Sequence, residues 1–206
     1  MIEKLGQHRV RVGSVLDGVD DLVGGDDVSV VYTDPPWGPG ALSYFETLTA
    51  SHVGAKKASV EFDAFMEALY VVFDKYASRL LILEYGIKWR SRVVGAMRAR
   101  GFAHLGTFTR YYSGGSKKLP MDVNLFSREG LRPPEGYQDT FLNEPPAAAM
   151  KAILAPFAVE GGVLLDPCCG TGYMASAAIH HGMRFLGNEI SPKRLEDTKR
   201  RLRRGR

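Results

Sequence analysis

The chain has 206 residues, 45% of them hydrophobic and 24% charged, with a formal net charge of +4. These are globular values, and they fit one domain (1–206) large enough to bury a substantial core. They leave no apolar run long enough to span a membrane, and the opening MIEKLGQHRVRVG lacks the apolar stretch of a secretory signal.

In chain order, residues 8–13 alternate at Val10 and Val12 and predict a short strand. Residues 17–23 predict a helical turn that stops at Gly24 and Gly25. Residues 28–33 form an apolar run suited to a parallel strand covered on both faces. That strand runs into TDPPWGPG, where Pro35 and Pro36 cannot continue a ladder and Pro35 pushes Asp34 into an extended conformation. The outcome is a stiff bracket presenting one carboxylate, bare carbonyls and the Trp37 indole beyond a strand end, where open α/β sheets bind ligands. The plainer reading is a proline turn whose tryptophan caps the core. Residues 38–59 show weak periodicity and predict a long functional loop carrying Lys56 and Lys57.

Residues 60–78 are a helix by the spacing of Phe62, Phe65, Met66, Leu69, Val72, Phe73 and Tyr76. Residues 80–84 are a buried strand, followed by a helix at 87–100. Residues 102–112 and 121–127 read as two strands joined by a tip that holds Lys117 and Lys118. Residues 144–156 predict a helix with Pro145 and Pro146 in its first turn. The last third then reads strand (162–165), DPCCGTG turn, helix (173–181), strand (184–189) and a final helix capped by Ser191.

In that βαβ unit, Gly170 and Gly172 permit a tight turn and close backbone approach to a ligand. Amides at the following helix N-terminus would face it. Glu189 closes the next strand, 17 residues after Gly172, at about the distance from which an acid accepts ribose hydroxyls. The competing readings are a glycine turn that only packs helix on strand, and a dinucleotide site. The full GxGxxG pattern is missing, with Met174 and Ala175 where a third glycine would fall.

Cys168 and Cys169 are neighbours and rarely bridge one another, so a reducing cytoplasm is expected. Neither they nor His8, His52, His104, His180 and His181 show zinc spacing, so no metal is expected. Residues 193–206 hold eight basic side chains against two acids. This basic end suits phosphate contacts better than base reading, or else it is the solvated face of a last helix.

The motifs SVVYTDPPWG and VLLDPCCGTG...FLGNEI together resemble the S-adenosylmethionine-dependent amino methyltransferases that modify adenine N6 or cytosine N4 in DNA. The catalytic motif precedes the cofactor motif, as in the circularly permuted, beta-type arrangement. The resemblance implies a Rossmann-like α/β fold with a mostly parallel seven-stranded sheet and helices on both faces. The strand at 8–13 would supply the one that cannot follow Glu189.

By the same resemblance, Asp34 and the carbonyl of Pro35 would accept hydrogen bonds from the target amine, with Pro36 and Trp37 completing the motif and Trp37 stacking on the base. Asp166, Cys168, Gly170, Gly172 and Glu189 would hold S-adenosylmethionine, with Ser14 and Asn143 at further cofactor positions where many relatives carry other residues. Residues 38–59 and 113–142, with Lys56, Lys57, Lys117 and Lys118, would contact the substrate. The expected activity is methylation of adenine N6 in DNA. RNA adenine, DNA cytosine N4, a non-catalytic nucleic-acid-binding partner subunit and protein glutamine stand as alternatives. An oligomer is compatible with the sequence.

Overall fold

The computed structural model describes residues 2–54, 59–114 and 117–205. The strands are β1 (Ile2–Leu5), β2 (His8–Val12), β3 (Val28–Thr33), β4 (Leu81–Tyr85), β5 (Ala103–Gly114), β6 (Lys117–Ser127), β7 (Val163–Asp166) and β8 (Arg184–Glu189). They form one sheet in the order β1-β2-β8-β7-β3-β4-β6-β5. The five strands from β2 to β4 are parallel, and β1, β6 and β5 each pair antiparallel with their neighbour.

The sheet is therefore mixed and has eight strands, where a mostly parallel seven-stranded one was expected. The eighth is β1, a four-residue edge strand too short for periodicity to reveal. The strand at the N-terminus does lie beside β8, in parallel register from Arg9↔Leu186 to Val12↔Glu189. That placement is the one the permuted motif order implies.

The central strands read as unbroken apolar runs because both faces are covered. On one face lie α1 (Asp20–Val23), α2 (Pro39–Val53), α3 (Phe62–Tyr76) and α4 (Arg90–Ala99), packed on Val31, Leu81, Leu83 and Leu165. On the other lie α5 (Pro146–Leu154), α6 (Tyr173–His180) and α7 (Pro192–Arg204), packed on Val30, Ile82, Leu164 and Phe185. α3 turns Phe65, Met66, Leu69 and Phe73 inward, as its 3.6-residue spacing predicts. α6 buries Met174, Ala175, Ala177 and Ala178.

Residues 38–59 are not a structureless loop. Residues 39–53 form α2, with Pro39 in its first turn and Gly54 ending it in the left-handed conformation (φ 66°). Its inward stripe is only Leu42 and Glu46, so hydrophobic periodicity gave no signal. Glu46 accepts a hydrogen bond from the Val60 N–H at 2.8 Å, tying α2 to the segment before α3. The second expected recognition segment, 113–142, is also more ordered than a loop: β5 and β6 extend into it, and residues 137–140 form a 3-10 turn. Among the described residues, no helix is long and apolar enough to cross a membrane.

Candidate functional site

β3 ends at Thr33, and the prolines that follow stop the ladder, so Asp34 stands just past the strand end. The Trp37 indole Nε1 donates to Asp34 Oδ1 at 2.9 Å. A carboxylate can accept about four hydrogen bonds, so this one fixes its orientation and leaves acceptor capacity toward the cavity. The indole is held in turn. It sits edge-on to Tyr112 (centroids 5.3 Å apart, 83°) and against Gly86, where a Cβ would come within 3.0 Å of the ring.

Asp34 faces cavity solvent, yet protein crowds the rest of its carboxyl. Burial first, then the charge of Glu84, pushes its pKa up to about 7, while the Trp37 N–H, Arg110 and Arg194 restrain it. The cavity has a volume of about 340 Å³, within the range of small-molecule sites. Asp34, Pro35, Pro36 and Trp37 form one wall.

Glu189, at the end of β8, lies on the same cavity. Its two oxygens each accept one backbone N–H, from Ser191 at 2.9 Å and Gly170 at 2.8 Å. The carboxylate is thereby aimed, and each oxygen keeps a further lone pair for a ligand. Leu16 and Ile190, large apolar side chains left 43% and 42% exposed, line the cavity with it. Asn188 binds the surrounding chain together. Its Nδ2 donates to the carbonyls of Gly13 (3.1 Å) and Pro167 (3.0 Å), and its Oδ1 accepts from Arg11 Nε (2.8 Å).

The glycine turn works differently from its sequence expectation. Gly170 (φ 55°) and Gly172 (φ 79°) occupy left-handed backbone as a tight turn needs. Neither lines the cavity, however. A Cβ on Gly172 would come within 2.7 Å of Thr198 Oγ1 on α7, so that glycine lets the last helix close in. Gly170 serves through its N–H on Glu189. Asp166 is likewise behind the wall, 2% exposed, with Oδ1 accepting from Cys168 N–H at 3.2 Å. Burial pushes its pKa well up, and the charges of Asp34 and Glu189 add to this.

Cys168 lines the cavity, and burial raises its thiol pKa well above the usual value, reinforced by Glu189 and Asp166. It stays a neutral thiol. Among the described residues, no three His, Cys, Asp or Glu side chains gather as a metal site.

Of the other expected residues, Ser14 lines the cavity, and its Oγ accepts from Leu16 N–H at 3.2 Å, capping the 3-10 turn Val15–Asp17. Asn143 is exposed and does not reach the cavity. Lys118 is exposed on β6, away from it. Lys56 and Lys57 lie outside the described residues, as does the Lys117 side chain. Ser191 occupies the cap position of α7, but its hydroxyl caps no helix amide and lies 3.4 Å from His52 Nδ1.

The basic end is largely committed within the fold. Lys199 pairs with Glu3 and Glu196, Arg200 with Asp197, Arg203 with Glu3, and Arg201 Nε donates to the Thr171 carbonyl. Arg194 differs. Its guanidinium lies over the Phe45 ring (4.7 Å) and lines the cavity.

Sequence reasoning missed a second buried group. Arg110, on β5, donates through Nε and Nη2 to the two carboxylate oxygens of Glu84, on β4, at 2.9 and 2.6 Å. Glu84 is 0% and Arg110 6% exposed. Arg110 lines the cavity with Tyr112 and Met121, on the wall nearest Trp37. No residue spacing marks this pair, because its partners are 26 positions apart on different strands.

No protein-family model matches the chain. It is 24% identical over 189 residues to YubD of Escherichia coli (strain K12), a protein named as a methylase, covering 81% of this chain and 78% of that one. Solved structures are similar as well. TTHA0409 of Thermus thermophilus, titled a DNA modification methylase complexed with S-adenosyl-L-methionine, matches at TM-score 0.66 and 20% identity over 96% of this chain and 94% of that one. The M1.HpyAVI–SAM complex matches at 0.66 and 12%, over 94% and 98%. The cytosine-N4-specific PvuII DNA methyltransferase matches at 0.67 and 13%, over 95% and 86%. The chain shares the fold of these three proteins.

Proposed function

We propose that this protein transfers a methyl group from S-adenosylmethionine to the exocyclic amine of a base in DNA, with adenine N6 as the target. The observation that carries the reading is that Asp34, on its proline bracket, and Glu189, aimed by two backbone amides, open onto one cavity. The relatives that bind the same donor support the cofactor. The preference for adenine rests on the tryptophan of the DPPW motif.

The cavity residues fit the donor. Glu189 would accept the ribose hydroxyls, and the exposed Leu16 and Ile190 would flank a purine ring. When bound, S-adenosylmethionine supplies a methyl group on a positively charged sulfur, which leaves as a neutral thioether.

An exocyclic amine is a poor nucleophile because its lone pair is delocalised into the ring. Asp34 and the Pro35 carbonyl would accept its two N–H bonds, which favours a tetrahedral nitrogen and stabilises the positive charge that grows on it. Methyl transfer would form the N–C bond as the S–C bond breaks, and the surplus proton on the nitrogen would pass to water in the cavity that Asp34 faces. This is preorganised electrostatics with positioning. The target atom is inaccessible inside a duplex, so the base must be flipped or unpaired.

Incubation of labelled donor with duplex DNA, single-stranded DNA and RNA, followed by mass spectrometry of the nucleosides, tests the reading. N6-methyladenine from DNA is the expected product. N4-methylcytosine would correct the base, and no label in DNA would overturn the proposal. Glu189→Ala should weaken donor binding in calorimetry by about 1.5–3 kcal/mol, the range for a hydrogen bond to a charged group. Unchanged affinity in the folded variant would remove Glu189 from the ribose role.

A further inference from the structure

Arg110 lines the cavity, and the proposed reaction leaves its chemistry unused. Glu84 fixes its guanidinium by two parallel hydrogen bonds, so the plane of the group cannot turn. The remaining nitrogen, Nη1, is buried and has no hydrogen-bond partner. Buried donors are almost always paired, and an orphan beside a ligand cavity points to a partner that arrives with the ligand. Burying an unpaired charged donor is a poor way to stabilise a sheet, since an apolar pair of similar size would do as well. Arg110 lines the cavity, as does Tyr112 two positions further along β5, and Asp34 is near enough for Arg110 to lower its pKa.

Any base whose exocyclic amine is held by Asp34 carries an acceptor ring nitrogen close to that amine. Adenine has N1 and N7, and cytosine has N3. Resting on the proposed methyl transfer, we infer that Arg110 is the residue that reads the flipped base, donating from Nη1 to a ring nitrogen flanking the amine. Bases without an acceptor there would leave the donor unpaired. The contact would also fix the rotation of the ring, so that the amine meets Asp34 and the Pro35 carbonyl together. Lysine at this position would keep a cation on Glu84 but lose the planar fork that aims the third nitrogen.

The test uses random-sequence DNA made with 1-deazaadenine, 7-deazaadenine or 3-deazacytosine in place of the normal base, each of which keeps the amine and lacks one ring acceptor. Wild type and Arg110→Lys are compared by kcat/KM on each DNA, with donor affinity and melting temperature measured alongside. The wild type should lose about 10–100-fold on one of the analogues of the base it methylates, the equivalent of one charge-assisted hydrogen bond. Arg110→Lys should lose a similar factor on normal DNA, keep its donor affinity, and show no further loss on that same analogue.

A full additional loss of the variant on the analogue would overturn the inference, because Arg110 would then act only through Asp34 or the fold. Loss of donor binding in the variant would also overturn it, placing Arg110 on the cofactor. If Arg110→Lys does not fold, the wild-type comparison still decides: equal rates on normal and analogue DNA overturn the contact. No methyl transfer by the wild type to normal DNA would instead overturn the methyltransferase reading, and this inference with it.

Discussion

Replacing Asp34 with alanine is expected to lower turnover by about 100–1,000-fold while leaving donor binding intact, the size of effect seen when one preorganised hydrogen-bonding group is removed from a transition state. The side chain is already oriented in the free protein by Trp37 Nε1, so its loss removes an aligned acceptor at the cavity wall. The wild type carries a second signature of the same group. Asp34 accepts from the amine most strongly, and stabilises the growing positive charge, when ionised, and its pKa is pushed up to about 7 by burial and by Glu84. The ionised fraction rises with pH, so kcat/KM should fall about tenfold per unit below pH ~6 and level off above pH ~8. Normal turnover in Asp34→Ala, measured at saturating donor, would place this carboxylate outside the chemistry.

Glu84→Ala is expected to be the most damaging single change to stability. It leaves the Arg110 guanidinium buried without its carboxylate, and breaking a buried pair from one side costs about 3–5 kcal/mol. For a chain of this size that lowers the melting temperature by roughly 6–20 °C. Removing both charges together, as Glu84→Leu with Arg110→Met, should restore most of that loss, since apolar side chains of similar volume often replace a buried pair without penalty. Calorimetric melting of the single and double variants measures both. A double variant no more stable than Glu84→Ala would mean that the pair holds the sheet by more than its mutual attraction.

The sequence carried the sheet better than it carried the cavity wall. β3, β4, β7 and β8 are legible because double-sided burial demands unbroken apolar runs, and α3 because its apolar residues repeat at the helical period. The strand at His8–Val12 was placed beside β8 by motif order alone, and its observed register agrees. α2 is illegible for a physical reason: it buries only Leu42 and Glu46 and exposes Tyr44 and Val53 beside Thr47 and Ser51, so its apolar residues mark no single face. Asp34, Trp37 and Glu189 announced themselves through the prolines and the glycine turn around them. Glu84 and Arg110 did not, because a charged residue inside a strand reads as a solvent-facing position until the opposing strand is known. Gly170 and Gly172 have the left-handed backbone that the turn predicts, while the packing of α7 against Gly172 is visible only in the folded chain.

Asn188 has a consequence for how the molecule opens. One β8 amide holds the turn after β2, the Arg11 side chain and the turn after β7, so peeling the N-terminal hairpin from β8 breaks its Gly13 and Arg11 bonds and carries off the Ser14 and Leu16 wall of the cavity. Edge hairpins are ordinarily the first elements to fluctuate away from a domain. Here that fluctuation would dismantle the Glu189 side of the cavity. A ligand that binds only the closed form therefore adds RT ln(1 + [L]/Kd) to the free energy of detaching the hairpin. The N-terminal edge of the sheet and the occupancy of the cavity become one equilibrium.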